Sequence, residues 1–302
     1  MNFKKIGVVV ATGLTVITLA SCGKNDANSD IVTMKGDTIR VTDLYAQTKE
    51  YPTTGASTLL QNMTFNKIFE KEFGKKVSDK EVAKEFDTQK ASLGTNFASA
   101  LQQAGYTESS YKDSIRSQLL LKAAVVDKIE FTDAAYKSAF ETYHPEVSAL
   151  ILPEKSADDA KAKIADAQKS PDDFDKAAKA QKGDLKFDSA STSVPKEVMA
   201  AAFKLKDGEV SAEPITVMDP QTGASSFYVV KMVKNADKGT DWKKYKKELK
   251  AVITTTKQND TQFVNSIITK YLKEYNVKVK PKEFANTFAA FESTTDSSKA
   301  KK

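Results

Sequence analysis

The residue types that most often carry out acid–base or nucleophilic chemistry are scarce in this chain of 302 residues, which has one histidine and one cysteine. His144 precedes Pro145 in the stretch TYHPEVSALILPE, just ahead of an apolar run. A general base needs a nucleophile or an orienting partner within hydrogen-bonding reach, and sequence alone does not place one. We therefore favour a solvated linker residue for His144, with a general base as the alternative.

The lone cysteine, Cys22, cannot form an intramolecular disulfide, because the chain has no second cysteine. Nothing near it in the sequence would lower the pKa of its thiol, so a catalytic thiol is not expected. The chain also lacks an HExxH-like spacing and a glycine-rich loop. We predict no metal site and no cofactor.

The residues before Cys22 indicate a different role for this thiol. Lys4 and Lys5 precede an uncharged run over residues 6–20, the layout of a secretory signal, and the run is shorter than the ~20 residues of a membrane-spanning helix. The stretch LASC that ends at Cys22 resembles a bacterial lipobox, which implies cleavage after residue 21 and a diacylglyceryl group with palmitate on the thiol. We thus expect a signal peptide over 1–21 and a lipid anchor on the extracytoplasmic face of the cell membrane. The alternative is an apolar cysteine that merely ends the signal.

The charge pattern argues against a nucleic-acid partner. The formal net charge is +6, and 28% of the residues are charged. Basic and acidic residues alternate along stretches such as DKEVAKEFDTQK, which is typical of solvated helix faces and not of a basic stripe. No second long apolar run follows the signal.

The elements that follow the signal are mainly helical. Residues 22–30 are interpreted as a tether, and IVTMKGDTIRVTDL predicts two short strands around Lys35–Asp37 with Thr42 as the N-cap of a helix. The rest of the region 31–143 is predicted to be helical. Its boundary signals are a capping box at Ser78–Glu81, N-caps at Thr107 and Thr132, and helix stops at Gly74 and Gly105.

The apolar residues between Leu59 and Phe69 are denser than one narrow helix face requires. They are interpreted mainly as core, because large exposed apolar patches are uncommon without a partner. The alternative is that part of this helix lines an open apolar surface that binds a polypeptide.

The pattern changes to mixed strands and helices over residues 144–236, and residues 237–283 return to helix. VSALILP and SSFYVVKMV predict strands, and VPKEVMAAAFKL predicts a helix. We predict an α+β fold in which a small α/β domain is inserted between helical segments from both ends of the chain. Residues 284–302 are predicted to be a disordered tail, because residues 292–302 are polar and poor in apolar side chains.

Three segments of the middle region resemble parvulin-type peptidyl-prolyl isomerases. They are GDL at residues 183–185, AAFKLKDGEVS at 201–211 and FYVVKMV at 227–233, and the family shows GGDLGWF, AAF-L-GEVS and GYHIIKV in the same order. With the lipobox and the helical flanks, residues 1–283 resemble the PrsA foldase family of Gram-positive bacteria. The resemblance implies a parvulin-like domain between two helical parts that form a chaperone domain.

Each site residue of the family is compared with the residue at the matching position of this chain. The first histidine, in SHIL, falls on Leu150, and the second, in GYHIIKV, falls on Tyr228, so both imidazoles are replaced. The resemblance implies roles in catalysis for Asp184 and Tyr228, and a prolyl pocket made by Met199, Phe203 and Leu150. The AAF-x-L spacing would equally place Phe203 in the core. His144 lies too far from position 150 to substitute, because the segment between them spans about 20 Å when extended.

The resemblance implies a membrane-anchored extracytoplasmic foldase or chaperone that assists secreted proteins after translocation. Its partners would be unfolded or newly secreted polypeptides, the membrane through Cys22, and a second copy in a homodimer. Isomerase activity is expected to be weak or absent without the paired histidines. The alternatives are an active but diverged isomerase, or rotamase, and a substrate-binding lipoprotein of a transporter.

Overall fold

The protein is described by a computed structural model that places residues 28–219 and 222–292. The signal, Cys22, residues 220–221 and the tail residues 293–302 lie outside the described residues. Residues 130–253 form one compact unit, and the described residues before and after them form a second. The domain borders predicted at 143/144 and 236/237 stay predictions.

The described chain contains twelve α-helices, seven strands and four 3-10 turns. The strands are β1 Asp30–Met34, β2 Asp37–Arg40, β3 Val147–Glu154, β4 Asp184–Phe187, β5 Ile215–Met218, β6 Ser225–Lys234 and β7 Lys278–Val279. The helices are α1 Val41–Glu50, α2 Ala56–Phe73, α3 Asp79–Leu93, α4 Phe97–Gln103, α5 Glu108–Asp127, α6 Asp133–Thr142, α7 Ala157–Lys169, α8 Pro171–Ala180, α9 Lys196–Ala202, α10 Lys246–Asn259, α11 Thr261–Glu274 and α12 Ala289–Glu292. The 3-10 turns are Gly74–Lys76, Gly94–Asn96, Trp242–Tyr245 and Lys282–Phe284.

Most predicted helix boundaries in the N-terminal region are confirmed. At the start of α3 the Ser78 N–H donates to the Glu81 carboxylate at 2.8 Å, and the Glu81 N–H donates to the Ser78 hydroxyl oxygen at 3.3 Å. The Thr107 and Thr132 hydroxyls likewise accept the N–H of Ser110 and of Ala135 and cap α5 and α6. Thr42 is not the N-cap of α1. Arg40 is the N-cap, because its main-chain N–H donates to the Asp43 carboxylate at 2.8 Å and α1 begins at Val41.

A three-stranded sheet of order β2-β1-β7 joins the two ends of the flanking unit. β1 and β2 form the predicted hairpin, so Asp30 belongs to a strand and not to the tether. β7 corrects the prediction that the helix continues through residue 279: Asn276, at φ 49°, ends the helix, and Val279 pairs with Val32. Asparagine tolerates this left-handed conformation better than most residues.

The C-terminal segment corrects the prediction of a disordered tail over its described part, residues 284–292. Phe288 is only 5% exposed, and its ring centroid lies 5.9 Å from that of Phe65 on α2. Phe291 meets the same ring edge-on at 5.4 Å. These aromatic anchors bury apolar area against α2 and so order the segment.

The middle unit contains a four-stranded antiparallel sheet of order β4-β3-β6-β5. The predicted strands over VSALILP and SSFYVVKMV and the predicted helix over VPKEVMAAAFKL, which is α9, are confirmed. Two apolar clusters cover the sheet, one with α9 and one with α7 and α8. α6 also belongs to this unit, where Tyr136 stacks on Trp242 at 5.2 Å.

Candidate functional site

Three of the predicted site residues share one face of the four-stranded sheet. Met199 is buried on α9, and Tyr228 and Phe203 pack half-buried against the same cluster. The Phe203 ring centroid lies 5.8 Å from that of Phe187 at the end of β4. The structure therefore brings Met199, Phe203 and Tyr228 together around a half-buried aromatic surface. The Phe203 side chain packs against the core cluster and is partly exposed at this surface.

Leu150 does not belong to this surface, which corrects its placement in the prolyl pocket. It is 1% exposed and packs with Ile164 and Phe174 on the opposite face, which α7 and α8 cover. In the β3–β6 register Leu150 pairs with Lys231, whereas Tyr228 pairs with Pro153. Since successive residues of a strand point to opposite faces, imidazoles at positions 150 and 228 could not meet.

On β3, Ala149 and Ile151 are among the residues that face the same side as Tyr228. Position 150 is one residue away from both of them, and a shift of one residue along a strand moves a side chain to the other face of the sheet. A histidine at either of these two positions would share the face with Tyr228, and neither position holds one.

Asp184 is also separated from Tyr228. It pairs with Leu150 in the β3–β4 register, so its side chain projects from the face that carries Leu150, where it is exposed. The turn before it is fixed by the backbone: the Gly183 N–H donates to the Ala178 carbonyl, and the Ile151 N–H donates to the Gly183 carbonyl, both at 2.8 Å. The predicted catalytic pair of Asp184 and Tyr228 is therefore not assembled.

His144 is the functional candidate that sequence reasoning set aside. Its ring stacks on Phe203 with the centroids 4.0 Å apart and the planes 8° from parallel, so it is not a solvated linker residue. Its main-chain N–H donates to the Ser189 hydroxyl oxygen at 2.8 Å. An open cavity of about 390 Å³ begins at this ring and continues along Leu205 and Asn235.

The neighbouring Tyr143 is held as a neutral phenol. Its hydroxyl donates to the Asp188 carboxylate at 3.3 Å. Burial, and then the negative charge of Asp188, raise the pKa of Tyr143 far above its usual value. The hydroxyl therefore cannot act as a base near neutral pH, and its bond to Asp188 helps to fix the turn that holds His144.

A second candidate site lies in the flanking unit, in a cleft of about 220 Å³ beside α2. Leu60 and Ile68 face the core and are almost completely buried, while Met63 and Phe65 are half-buried and line the cleft. The dense apolar stretch is therefore mainly core, and part of it also lines an open cleft. We call this site the α2 cleft.

The α2 cleft is lined by aromatic rings and carboxamides. Tyr51, Phe65, Phe69 and Tyr106 supply the rings, and Gln47, Asn62, Asn66 and Gln118 supply the carboxamides. None of the described residues that line it is charged. A lining of this kind can bind apolar groups and can hydrogen-bond a polypeptide main chain.

Tyr51 fixes one wall of the α2 cleft. Its hydroxyl donates to the Ser110 carbonyl at 3.2 Å, and its ring meets Tyr106 edge-on at 6.0 Å. Burial, reinforced by the charge of Asp113, raises the pKa of Tyr51 to about 12. The wall therefore stays uncharged at physiological pH.

No group of three or more His, Cys, Asp or Glu residues within 28–219 and 222–292 could hold a metal ion. Over the same residues, no helix combines the length and the apolarity that a membrane span requires.

Comparison with known proteins places this fold. No protein-family model matches the chain. It is 49% identical to the foldase protein PrsA of Lactococcus lactis subsp. lactis (strain IL1403) over 311 residues, which cover 100% of each chain. It is 42% identical to the foldase protein PrsA of Streptococcus gordonii, over 99% of each. The crystal structure of the L. lactis foldase matches with a TM-score of 0.72 at 48% identity, over 87% of this chain and 99% of the other.

These likenesses cover almost the whole chain and include its arrangement of helices and sheets, so they define the protein as a foldase of α+β fold. The chain belongs to the PrsA foldase family. The family predicted from the parvulin-like segments and the lipobox is thus confirmed, together with the α+β fold.

Proposed function

We propose that the protein is a membrane-anchored extracytoplasmic foldase that holds newly secreted polypeptides while they fold and does little to isomerise their prolines. The observation that carries the proposal is the combination of PrsA family membership with a sheet face that has no pair of histidines. The α2 cleft supports it, because an aromatic and carboxamide lining suits unfolded chains.

The limited isomerase activity follows from the chemistry that the site would need. Twisting an X-Pro bond has a barrier of about 18–20 kcal/mol, and no nucleophile is required. A pocket formed by Met199, Phe203 and Tyr228 could exclude water from the prolyl ring, and Tyr228 could donate one hydrogen bond. It lacks the hydrogen-bonded pair of imidazoles that would hold the shape of the pocket.

The membrane anchor rests on Cys22. A lipidated cysteine with two or more acyl chains anchors a protein stably, whereas one chain binds only marginally. The anchor would hold the protein where secreted polypeptides emerge.

We also propose that the protein forms a homodimer. Static light scattering of residues 22–302 in detergent-free buffer tests this proposal.

The foldase function is tested by the aggregation of a chemically unfolded secreted enzyme after dilution. We expect residues 22–302 to lower the light scattering of the client at equimolar ratio, because transient binding keeps its apolar segments apart. An equal concentration of serum albumin is the control for nonspecific crowding. Scattering equal to that in the albumin control would count against the proposal.

A diverged isomerase is the second candidate, and the stacking of His144 on Phe203 favours it. Uncatalysed isomerisation takes about 10 to 100 s, so a protease-coupled assay on X-Pro peptides is decisive. We expect no acceleration at micromolar protein. Acceleration that the substitution His144→Ala abolishes would establish this second candidate instead.

A further inference from the structure

The α2 cleft is unusual for its lack of charge. In the whole chain 28% of the residues are charged, yet none of the described residues that line this cleft is. Burying a charged side chain without a partner is costly, so a cleft of this kind excludes charged segments. The lining therefore selects an uncharged occupant.

The chain itself contains a segment of this type, which packs on Phe65, a ring that also lines the cleft. Residues 285–291, ANTFAAF, carry no charge. Phe288 and Phe291 both pack on Phe65, and the Gln61 carboxamide donates to the main-chain carbonyl of Thr287. α2 thus binds an uncharged aromatic segment by ring contacts and a carboxamide-to-carbonyl hydrogen bond.

The cleft side of α2 repeats these two elements without an occupant from the described chain. Phe65 and Phe69 supply rings, and Asn62 and Asn66 supply carboxamides that make no hydrogen bond with another described residue. Four residues of helix rise about 6 Å. Two residues of an extended strand rise about 6.7 Å. Asn62 and Asn66 can therefore bind main-chain groups two residues apart in an extended peptide.

We propose that the α2 cleft binds an extended, uncharged segment of a client polypeptide that carries at least one aromatic residue. Asn62 and Asn66 bind its main chain, and the aromatic ring packs against Tyr51 and Tyr106. This proposal rests on the proposed foldase function and names the class of segment that the foldase holds.

A synthetic peptide tests the proposal. The probe is acetyl-ANTFAAF-amide with an uncharged fluorophore, and its matched partner is acetyl-ADTFAKF-amide with the same fluorophore. We expect residues 22–302 to bind the first peptide at least about tenfold more tightly in fluorescence anisotropy, because the second brings two charges into an uncharged cleft. Equal affinities would overturn the proposal.

Three variants locate the binding site. Asn66→Asp and Asn62→Asp place a charge in the α2 cleft and are each expected to weaken binding of the neutral peptide about tenfold. Asn96→Asp changes an exposed asparagine outside the cleft and is expected to leave binding unchanged. Gln61→Glu is expected to have little effect. Loss of binding in the Gln61 variant alone would mean that the peptide replaces the C-terminal segment, which overturns the cleft assignment.

The aggregation assay on the same variants separates this proposal from the foldase function. Circular dichroism first confirms that each variant is folded. If the wild type suppresses aggregation but the two cleft variants bind the peptide as tightly as it does, the cleft proposal fails and the foldase function stands. If the wild type neither suppresses aggregation nor binds the peptide, both fail.

Discussion

Replacing Gly183 with alanine is expected to lower the free energy of unfolding of the protein by about 3 kcal/mol or more. An added Cβ would lie 2.0 Å from the Ile151 carbonyl oxygen and 3.0 Å from that of Ala178. Both atoms belong to the backbone: the Ala178 carbonyl accepts the Gly183 N–H, and the Ile151 N–H donates to the Gly183 carbonyl. No side-chain rotation can relieve the clash, so β3 and β4 must separate.

The adjacent residue provides the matched control for this prediction. Lys182 has a φ of 57°, a conformation that costs an L-residue about 1–2 kcal/mol and glycine almost nothing. Lys182→Gly is therefore expected to be neutral or slightly stabilising. Urea unfolding followed by circular dichroism measures both variants. A Gly183→Ala variant as stable as the parent would contradict the described packing of this turn.

Replacing Cys22 with serine is expected to abolish lipid attachment completely. The chain has no other cysteine, so no second thiol can carry the diacylglyceryl group. Growth of the producing bacteria with an alkyne analogue of palmitate, followed by capture of the protein, measures the attachment. We expect label on the wild type and none on Cys22→Ser.

Ser21→Ala is the control for the anchoring prediction, because it keeps a small residue before Cys22 and leaves the thiol intact. We expect it to be labelled like the wild type. Label on the serine variant would show that Cys22 is not the lipid site. An unlabelled wild type would remove the proposed anchor altogether.

Local signals in the sequence predicted the elements well. The Ser78–Glu81 box and the caps Thr107 and Thr132 depend on residues three positions apart, and all three are found. The strand β7 could not be predicted in this way, because two residues carry no periodicity and its pairing partner Val32 lies at the other end of the chain. The segment that contains Phe288 was missed for a related reason, since its order depends on Phe65.

The parvulin-like site was predicted less accurately than the fold. The motif comparison correctly grouped Met199, Phe203 and Tyr228, which share one face of the sheet. It assigned Leu150 to the wrong face, because a shift of one residue along a strand moves the side chain to the opposite face of the sheet. The contact with Phe203 joins His144, which lies between α6 and β3, to the end of α9. Neither the spacing nor the residue types indicate it.

One refolding experiment measures whether the protein holds polypeptides and whether it isomerises their prolines. The client is a secreted enzyme whose slow refolding phase is limited by proline isomerisation. With increasing amounts of residues 22–302, we predict a rising yield of active client and an unchanged rate constant for the slow phase. A rate constant that increases with the concentration of the protein, or a yield that does not change, would contradict the account.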